Sequence, residues 1–374
     1  MKNQPKRTDC KTNAKTIVFA GGGTAGHITP FIAVSPYLKK QGIKIVYIGS
    51  GKQLEKNLMQ PAGAILREID PPKFIRGVSI NALKNAVLPF KFIKAVNAAK
   101  EILKKYKPAV IFSKGGYCAL PVCYAAFSLK IPVVCHESDL TAGLANKLTL
   151  KKCDKFLTSF LPPAEKYGGE VIGAPMREEL FSVSKIDGLK YFGITNDKPV
   201  LLITGGSQGS KTLNEAVIKN LPKLTSRFNV LHATGKGNLP HGNDAKKSAY
   251  KPVNGYFAFE FISMPHALAC ADVCVIRGGA NTLFEVLYAK KPALCIPLKK
   301  GSRGDQIKNA EYFYERGAIV YADGSGLNEN LVHLLNALIK NKKSILSAIN
   351  NLKLNNGTPR LAEILLGYFS PPLK

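Results

Sequence analysis

The chain has 374 residues, and its 53 Lys and Arg against 25 Asp and Glu give a net charge of +28. With 45% hydrophobic and 21% charged residues, the composition is that of a globular protein and excludes a collagen-like or wholly disordered chain. The apolar runs are of strand length, well short of the ~20 residues that span a membrane, and the N-terminus lacks the apolar stretch of a signal peptide, so we expect a cytoplasmic chain.

The first half alternates strand-like and helix-like patterns after a polar, basic tail, residues 1–15, that we expect to be disordered. Strands are predicted at Thr16–Ala20, Ile43–Ile48, Ala109–Ser113, Ile131–His136 and Lys155–Thr158. Helices are predicted near Thr29–Lys40, Ala82–Lys105, Leu120–Leu129 and Ala142–Leu150. Strands separated by helices are typical of a parallel sheet that is covered on both faces.

A second series of the same kind follows a segment, residues 183–198, that reads as a connector. Its strands are predicted at Val200–Thr204, Asn229–Ala233, Tyr256–Phe261, Val273–Ile276, Ala293–Leu298 and Ala318–Tyr321. Its helices are predicted near Lys211–Asn220, Pro265–Ala269, Thr282–Ala289, Gln306–Arg316, Asn328–Asn350 and Arg360–Phe369.

Each half opens with an apolar strand that runs into a glycine cluster, so the sequence predicts an α/β protein of two Rossmann-like domains whose parallel sheets face each other across a cleft. We place the domains at residues 16–176 and 199–355, with a linker at 177–198. The last segment, 356–374, is expected to form a helix that packs back on the N-terminal domain.

The first glycine cluster, Gly21–Gly26, fits G-x-G-x-x-G directly after a strand. Such a turn lets a phosphate approach the N-terminus of the next helix. A dinucleotide site also needs an acidic residue near the end of the second strand, which here reads Tyr47-Ile48-Gly49-Ser50. The missing acid argues against an NAD(P) oxidoreductase, as does His27, a titratable side chain at the mouth of the turn.

The second glycine cluster, Gly205–Ser210, does not satisfy the P-loop pattern. Its backbone N–H groups and the hydroxyls of Ser207 and Ser210 are enough to hold a diphosphate at a helix start. A tight strand-to-helix turn without a ligand is the alternative.

A third turn, Arg277–Thr282, also follows a strand and starts a helix, with Glu285 in the first turns of that helix. A carboxylate there can accept hydrogen bonds from both hydroxyls of a ribose. The spacing from Thr282 equally fits a capping box, and the sequence does not separate the two.

Seven ordered segments resemble one family: GGGTAGHITP, SKGGYCALP, HESDLTAGLANK, GAPMR, LLITGGSQGSKTLNE, ADVCVIRGGANTLFE and GSRGDQIKNAEYF. They resemble the MurG family, the N-acetylglucosaminyltransferases of peptidoglycan synthesis. The resemblance implies a GT-B fold and inverting transfer of GlcNAc from UDP-GlcNAc to the C4 hydroxyl of MurNAc in lipid I, undecaprenyl-diphospho-MurNAc-pentapeptide, giving lipid II. It also implies a peripheral protein on the cytoplasmic face of the cell membrane, with other cell-wall synthesis proteins as further partners.

The resemblance also implies roles for individual residues. His27 matches the catalytic base. The donor side, for UDP-GlcNAc, comprises Thr24, Ala25, Gly26, Asp139, Arg177, Ser207, Gln208, Ile262, Ala280, Asn281, Thr282, Leu283, Phe284, Glu285 and Gln306. The acceptor side comprises Gly22, Gly23, Gly115, Gly116, Tyr117, His136 and Asn146.

Four positions depart from the family pattern. Ala25 stands where the family usually has Gly, which requires a negative φ there. Asp139 replaces an Asn that contacts the donor sugar, Asp305 replaces a second Gln beside Gln306, and Ala174 replaces the Asn of a GNP turn. These differences bear on the sugar contacts more than on the reaction class.

An inverting transfer needs a base, and imidazole titrates near neutrality, which favours His27. The alternative is a helix N-terminal histidine that binds only phosphate. His136 is the second candidate base, although a buried structural role bonded to Glu137 fits it better.

Patterns for a bound metal, such as D-x-D, HxH or HExxH, do not occur. We therefore expect no obligatory protein-bound metal, with the charge of departing UDP met by helix N-termini, backbone N–H groups and Arg177. Eight cysteines include no CxxC pair, and Cys270 and Cys274 read as core residues more than as metal ligands.

Residues 71–100 contain no acidic side chain, and basic positions alternate there with apolar ones. This pattern suits docking on an anionic phospholipid surface, at about 1 kcal/mol per basic residue. The residues assigned to docking are Lys73, Phe74, Arg76, Lys84, Phe90, Lys91, Phe92 and Lys94. The alternative is an amphipathic helix that packs on the sheet and leaves its lysines in solvent. This alternative must be true in part, because the helix also has to cover the sheet.

Two other functions compete with the leading one. A GT-B transferase for another lipid acceptor, such as diacylglycerol, would share the donor loop, because acceptor choice lies in the first domain. A nucleic-acid-binding protein would also explain the charge, but no RRM, KH or zinc-knuckle pattern is present, so we expect no nucleic-acid partner.

Overall fold

The structure, a computed structural model, describes residues 15–72, 88–206, 208–240, 255–299 and 303–369. The chain divides into two compact units. The first unit comprises Met1–His136, Gly143–Leu157 and Pro359–Lys374, and the second comprises Glu137–Ala142 and Thr158–Thr358. The predicted basic tail, residues 1–15, lies almost wholly outside the described residues, and the predicted domain boundaries stay a prediction.

Seven strands form the first sheet. They are β1 (Thr16–Ala20), β2 (Lys44–Gly49), β3 (Ile65–Glu68), β4 (Val110–Ser113), β5 (Val133–Glu137), β6 (Lys155–Thr158) and β7 (Glu170–Val171). The helices between them are α1 (Ala25–Lys40), α2 (Gln53–Met59), α3 (Leu88–Tyr106), α4 (Gly116–Ser128), α5 (Leu144–Thr149) and α6 (Leu161–Tyr167).

The strand order in this sheet is β3-β2-β1-β4-β5-β6-β7, and β1 pairs in parallel with both β2 and β4. The order reverses between β1 and β4, and open parallel sheets bind ligands at the carboxyl ends of the strands beside such a reversal. The turn after β1 carries Gly21–Gly26, and the turn after β4 carries Gly115 and Gly116. Both glycine turns therefore lie where a ligand is expected.

A six-stranded parallel sheet forms the core of the second unit. Its strands are β8 (Val200–Thr204), β9 (Asn229–Ala233), β10 (Tyr256–Phe259), β11 (Val273–Ile276), β12 (Ala293–Cys295) and β13 (Val320–Tyr321). The order is β10-β9-β8-β11-β12-β13, so the reversal falls between β8 and β11. The other two glycine turns follow these two strands, which confirms an α/β protein with two Rossmann-like parallel sheets.

The helices after the first sheet are α7 (Lys185–Phe192), α8 (Lys211–Lys219), α9 (Leu221–Thr225), α10 (Met264–Cys270), α11 (Ala280–Tyr288), α12 (Asp305–Tyr314), α13 (Leu327–Lys340), α14 (Lys342–Asn351) and α15 (Thr358–Leu366). A 3₁₀ turn covers Glu178–Phe181.

The helices of the second half differ from the sequence prediction in two places. The supposed connector contains α7, whose first turn is capped by Ser184 and which ends at Gly193 in a left-handed conformation. The single helix predicted at Asn328–Asn350 is broken at Asn341, whose side-chain amide donates to the Ala337 carbonyl at 3.0 Å. An asparagine that bonds its own backbone competes with helix continuation, so α13 ends there and α14 starts.

A cluster of aromatic rings packs beneath the first glycine turn, between it and the sheet core. Phe31 of α1 stacks on Phe19 of β1 at 4.8 Å between centroids and meets Phe112 of β4 edge-on at 5.3 Å. A Cβ at Gly21 would approach the Phe31 ring to 2.8 Å, so the turn can rest on this cluster only with glycine at that position. The contact between Gly21 and the Phe31 ring therefore sets the distance between the turn and the aromatic cluster.

Candidate active site

His27 lies in the first turn of α1, directly after the glycine turn. Its Nδ1 is 3.0 Å from the Gly22 carbonyl oxygen and 3.3 Å from the Thr24 hydroxyl. A carbonyl only accepts hydrogen bonds, so Nδ1 carries the hydrogen and the neutral ring leaves Nε2 as the acceptor. This is the tautomer that a general base acting through Nε2 requires.

The last residues of the glycine turn lead into α1. Thr24 stands before α1 in extended conformation, and Gly26 is exposed in its first turn. Helix α1 begins at Ala25, and the negative φ that the departure from glycine requires there stays a prediction.

The acceptor-side residues predicted from the sequence lie close to His27 in the first unit. A Cβ at Gly116 would lie 3.5 Å from Cε1 of His27, and one at Gly23 would lie 3.0 Å from the Tyr117 ring. Tyr117 in turn donates to the Ser50 hydroxyl at 3.4 Å. The turn after β1 and the turn after β4 therefore form one continuous surface.

Buried polar groups line the neighbouring strand end. Asn146 of α5 is 2% exposed and donates to the His136 carbonyl at 3.3 Å. His136 is fully buried, and its Nδ1 contacts Nζ of Lys114, which is 3% exposed. A ring with no solvent access is poorly placed to take a proton from a bound hydroxyl, so His136 is the weaker candidate base. Sequence reasoning missed Lys114.

Part of the second glycine turn, in the second unit, is fixed by close backbone packing. A Cβ at Gly209 would lie 2.0 Å from the Thr234 carbonyl oxygen, and the Asn238 amide donates to the Gln208 carbonyl at 3.4 Å. Ser210 accepts from Leu213 N–H and so serves as the cap of α8, a role the sequence did not predict. Ser207 lies outside the described residues, and its assignment stays a prediction.

The third turn opens α11, which begins at Ala280 after Gly279 without a side-chain cap. Thr282 is already inside the helix, so the capping-box alternative is wrong. Asn281 and Thr282 are half-buried, whereas the Leu283 and Phe284 side chains lie in the core, where Phe284 meets Phe160 edge-on at 5.0 Å. Leu283 and Phe284 can offer a ligand only their backbone.

Glu285 is half-buried on α11, and burial raises the pKa of its carboxyl to about 7 against the opposing effect of Arg177. Arg177 is itself half-buried, and among the described residues its Nε has no hydrogen-bond partner. A carboxyl poised near neutrality beside an incompletely satisfied guanidinium is typical of a ligand site.

The segment before Arg177 is held by the chain near α15. The Asn356 amide bonds both the N–H and the carbonyl of Met176 at 3.0 Å, and the Thr358 hydroxyl donates to the same carbonyl at 2.8 Å. Ala174, the departure in this turn, forms a parallel bridge with Asn356. Ala174 is thus held through its backbone, and sequence reasoning missed Asn356 and Thr358.

Gln306 lies in the first turn of α12, and its side-chain oxygen is already engaged. Its Oε1 accepts from Leu298 N–H at 3.0 Å and from Arg277 Nε at 3.5 Å. The Gln306 amide NH₂ is then the group that can face a ligand, as a donor.

The two acidic departures are paired inside the second unit. Asp139 accepts from the Asn309 amide at 2.9 Å, and Asp305 accepts from the Thr141 hydroxyl at 2.5 Å and pairs with Arg303 at 3.0 Å. Both carboxylates thus fasten residues 137–142 and the start of α12. Ile262, which follows β10, is half-buried against the core, and its assignment to the donor side stays a prediction.

Among the described residues, no three His, Cys, Asp or Glu side chains cluster as metal ligands would. Cys270 and Cys274 are fully buried in the hydrophobic core of the second unit.

The docking residues Lys73, Phe74, Arg76 and Lys84 lie outside the described residues. On α3, Phe90 is 77% exposed and Lys91 and Lys94 are exposed, whereas Phe92 packs edge-on against Tyr124 of α4 at 5.4 Å. Phe92 is therefore partly a packing residue. Within the described ranges, none of the helices is long and apolar enough to cross a membrane.

Helix α5 adds exposed apolar side chains that the sequence analysis missed. Leu144 is 53% and Leu148 46% exposed, and Lys147 and Lys151 are exposed nearby. Both α3 and α5 pack on α4, so they belong to one side of the first unit. The signal was present in the sequence as two leucines four residues apart with interspersed lysines.

Residues 17–158 match the model of the glycosyltransferase family 28 N-terminal domain, and residues 200–363 match that of its C-terminal domain. A UDP-N-acetylglucosamine–N-acetylmuramyl-(pentapeptide) pyrophosphoryl-undecaprenol N-acetylglucosamine transferase of Clostridium botulinum (strain Kyoto / Type A2) is 40% identical over 361 residues, 95% of this chain and 99% of the relative. The crystal structure of Acinetobacter baumannii MurG has a TM-score of 0.71 at 26% identity and covers 94% of this chain and 99% of that chain. The chain belongs to the MurG family, within glycosyltransferase family 28.

One further relative supports the family, and one further solved structure supports the fold. The enzyme of the same description from Clostridium tetani is 38% identical over 364 residues, 95% of this chain and 99% of the relative. The calicheamicin glycosyltransferase CalG4 has a TM-score of 0.67 at 16% identity, over 97% of this chain and all of that chain. At that identity, CalG4 shows the fold alone, which is that of two-domain GT-B glycosyltransferases.

Proposed function

We propose that this protein transfers GlcNAc from UDP-GlcNAc to the C4 hydroxyl of MurNAc in lipid I, giving lipid II. The observation that carries the proposal is 40% identity, through both glycosyltransferase halves, to relatives described by that activity. The glycine turns at the reversals of both sheets support it, because each presents backbone N–H groups at a helix start where a diphosphate binds.

In the proposed mechanism, Nε2 of His27 takes the proton of the acceptor C4 hydroxyl. The hydroxyl oxygen forms the new bond to C1 of GlcNAc as the bond from C1 to the UDP oxygen breaks, with inversion from α to β. The bonding electron pair leaves on the β-phosphate. The hydrogen bond from His27 Nδ1 to the Gly22 carbonyl supports this role, because it fixes the tautomer and stabilises the cation that forms.

On the donor side, Glu285 accepts from the ribose hydroxyls and Arg177 faces the diphosphate. The N-terminus of α8 adds partial positive charge, and the NH₂ group of Gln306 donates to a sugar hydroxyl. Arg177 and the N-terminus of α8 offset the charge of the departing UDP without a metal ion. Full activity in EDTA is expected, and restoration of lost activity by one specific divalent metal would contradict this.

The decisive assay measures GlcNAc transfer to lipid I and, separately, to diacylglycerol. Turnover with lipid I alone supports the proposal, whereas transfer to diacylglycerol would assign a different lipid acceptor. His27→Ala should lose at least 100-fold in kcat while UDP-GlcNAc affinity stays within about twofold. Retained turnover in His27→Ala would move the base to another residue.

Docking on the membrane is proposed for the side of the first unit formed by α3 and α5. Exposed Phe90, Ile93, Leu144 and Leu148 lie among lysines there, which suits insertion into an anionic phospholipid surface at the cytoplasmic face. Replacing Lys91 and Lys94 by Gln should weaken binding to phosphatidylglycerol vesicles roughly 30-fold at low salt.

The matched control for this experiment is Lys340→Gln with Lys343→Gln, which removes the same charge from exposed positions on α13 and α14. This pair should bind the vesicles like the unaltered protein. Equal losses from both pairs would mean that overall charge, and not this surface, governs binding.

A further inference from the structure

Glu55 is a buried carboxylate directly behind the first glycine turn. It lies on α2, is 2% exposed, and accepts four hydrogen bonds. One oxygen accepts from Gly23 N–H at 3.1 Å and the Ser50 hydroxyl at 2.9 Å. The other accepts from Ser50 N–H at 2.8 Å and Gly51 N–H at 3.1 Å. Every acceptor site that a buried carboxylate must satisfy is thus occupied by this chain.

The glycine turn is shaped around this carboxylate. Gly22 has φ +141°, and a Cβ there would lie 2.4 Å from a Glu55 oxygen. On the preceding residue, the Tyr47 hydroxyl donates to the Gly21 carbonyl at 3.0 Å. Burial and the adjacent Glu55 charge raise the pKa of Tyr47, so it stays a neutral donor. Glu55 and Tyr47 therefore hold Gly21–Gly23 from two sides.

These contacts explain the acid that appeared to be missing after the second strand. In a dinucleotide-binding turn, an acidic residue at that strand end accepts from a ribose. Here the Glu55 carboxylate returns to the end of β2 and bonds Ser50, Gly51 and Gly23 of its own chain. The Gly23 N–H is consequently committed to Glu55 and is unavailable to a ligand phosphate.

We propose that Glu55 is a positioning residue for His27. It holds Gly23, which fixes the orientation of the Gly22 carbonyl, and that carbonyl accepts from Nδ1 of His27 and leaves Nε2 free of hydrogen. This inference rests on the proposed function, in which His27 is the base. According to this inference, the first glycine turn positions the base, His27, in addition to its proposed role in phosphate binding.

The test compares Glu55→Gln with the unaltered full-length chain. The Gln side chain keeps the volume but turns an NH₂ group toward N–H donors, so at least one bond of the set must break. We expect kcat to fall at least tenfold, with UDP-GlcNAc affinity within about twofold. Nitrogen-15 NMR of labelled histidine should show the Nδ1–H tautomer of His27 in the unaltered protein and a mixture in Glu55→Gln.

The pH profile gives a second readout. A carbonyl that accepts from Nδ1–H stabilises the imidazolium more than the neutral ring, so its loss weakens His27 as a base. The acid limb of kcat/KM for lipid I should therefore move to lower pH in Glu55→Gln. Glu165→Gln, an exposed acidic residue on α6, is the matched control and should change neither the tautomer nor the profile.

Unchanged kcat and an unchanged His27 tautomer in Glu55→Gln would overturn the inference. If Glu55→Gln does not fold, Tyr47→Phe decides the question, because it removes only the bond to the Gly21 carbonyl. We expect Tyr47→Phe to lose threefold or more in kcat and to show a mixture of His27 tautomers. No change in either quantity refutes the inference. Failure of the proposed function is distinguishable, since it would appear as full turnover in His27→Ala whatever the tautomer result.

Discussion

The Asn309 amide donates to the Asp139 carboxylate at 2.9 Å and to the Gly278 carbonyl at 3.2 Å, while its oxygen accepts from Leu140 N–H at 2.9 Å. One fully buried side chain thus ties the segment after β5 to the donor-side turn after β11. Asp139 stands where the family has Asn, and the hydrogen bond from Asn309 orients its carboxylate before any sugar binds.

Asn309→Leu should destabilise the second unit by about 2–4 kcal/mol, because it leaves the Leu140 N–H and the Gly278 carbonyl buried without partners. The free energy of unfolding in urea measures the effect. Asn336→Ala, which alters an exposed asparagine on α13 bonded to Arg227, should stay within about 0.5 kcal/mol. Equal small effects would mean that water satisfies the Asn309 site.

Glu285 makes donor binding depend on pH. Its pKa of about 7 means that the carboxyl is protonated in much of the unliganded protein below that pH, and a protonated carboxyl accepts poorly from two ribose hydroxyls. The dissociation constant of UDP-GlcNAc should therefore rise toward tenfold per pH unit as the pH falls below 7. Titration calorimetry from pH 5.5 to 8.5 measures it.

Two variants check this assignment. Glu285→Gln should bind UDP-GlcNAc weakly and with no inflection near pH 7. Arg177→Met should move the inflection to higher pH, since Arg177 lowers the Glu285 pKa. An inflection that survives in Glu285→Gln would belong to another group.

The same carboxyl should cost stability at neutral and alkaline pH. The folded-state pKa lies above the ordinary value of 4.5, so the folded state binds more protons between about 4.5 and 7. The stability contribution is therefore fully present below pH 4.5 and is lost as the pH rises through about 7. Glu285→Gln should raise the free energy of unfolding by about 2–3 kcal/mol at pH 8 and by much less at pH 5. An equal gain at both pH values would contradict the assignment.

The sequence predicted the central strands well and the edges poorly. The bounds predicted for β1, β6, β8, β9 and β11 match those observed, because buried parallel strands read as continuous apolar runs between turn signals. The edge strand β3 is half-buried and β7 has two residues, so neither shows such a run. The short helices α2, α6 and α7 were missed because tertiary packing, and not amphipathic length, stabilises them.

The candidate site divides in the same way. The sequence alone offers His27, Glu285 and the glycine turns as candidates, since each carries a local chemical signal beside a strand end. Glu55, Lys114 and Asn309 are not among these candidates, because their roles arise from partners far along the chain, such as Gly23 for Glu55 and Asp139 for Asn309. A buried carboxylate or amide is recognisable in a sequence only when its partners are already known to be near.

Arg277 should act on the sugar and not on the nucleotide. Its Nε donates to Oε1 of Gln306, which also accepts from Leu298 N–H, so the two donors orient the Gln306 amide with its NH₂ toward a ligand. Arg277→Met removes one of these donors, and a hydrogen bond of this kind is worth about 0.5–1.5 kcal/mol. The affinity for UDP-GlcNAc should fall roughly 3–10-fold, while that for UDP, which lacks the sugar, stays unchanged. If UDP affinity falls equally, Arg277 acts on the diphosphate directly and not through Gln306.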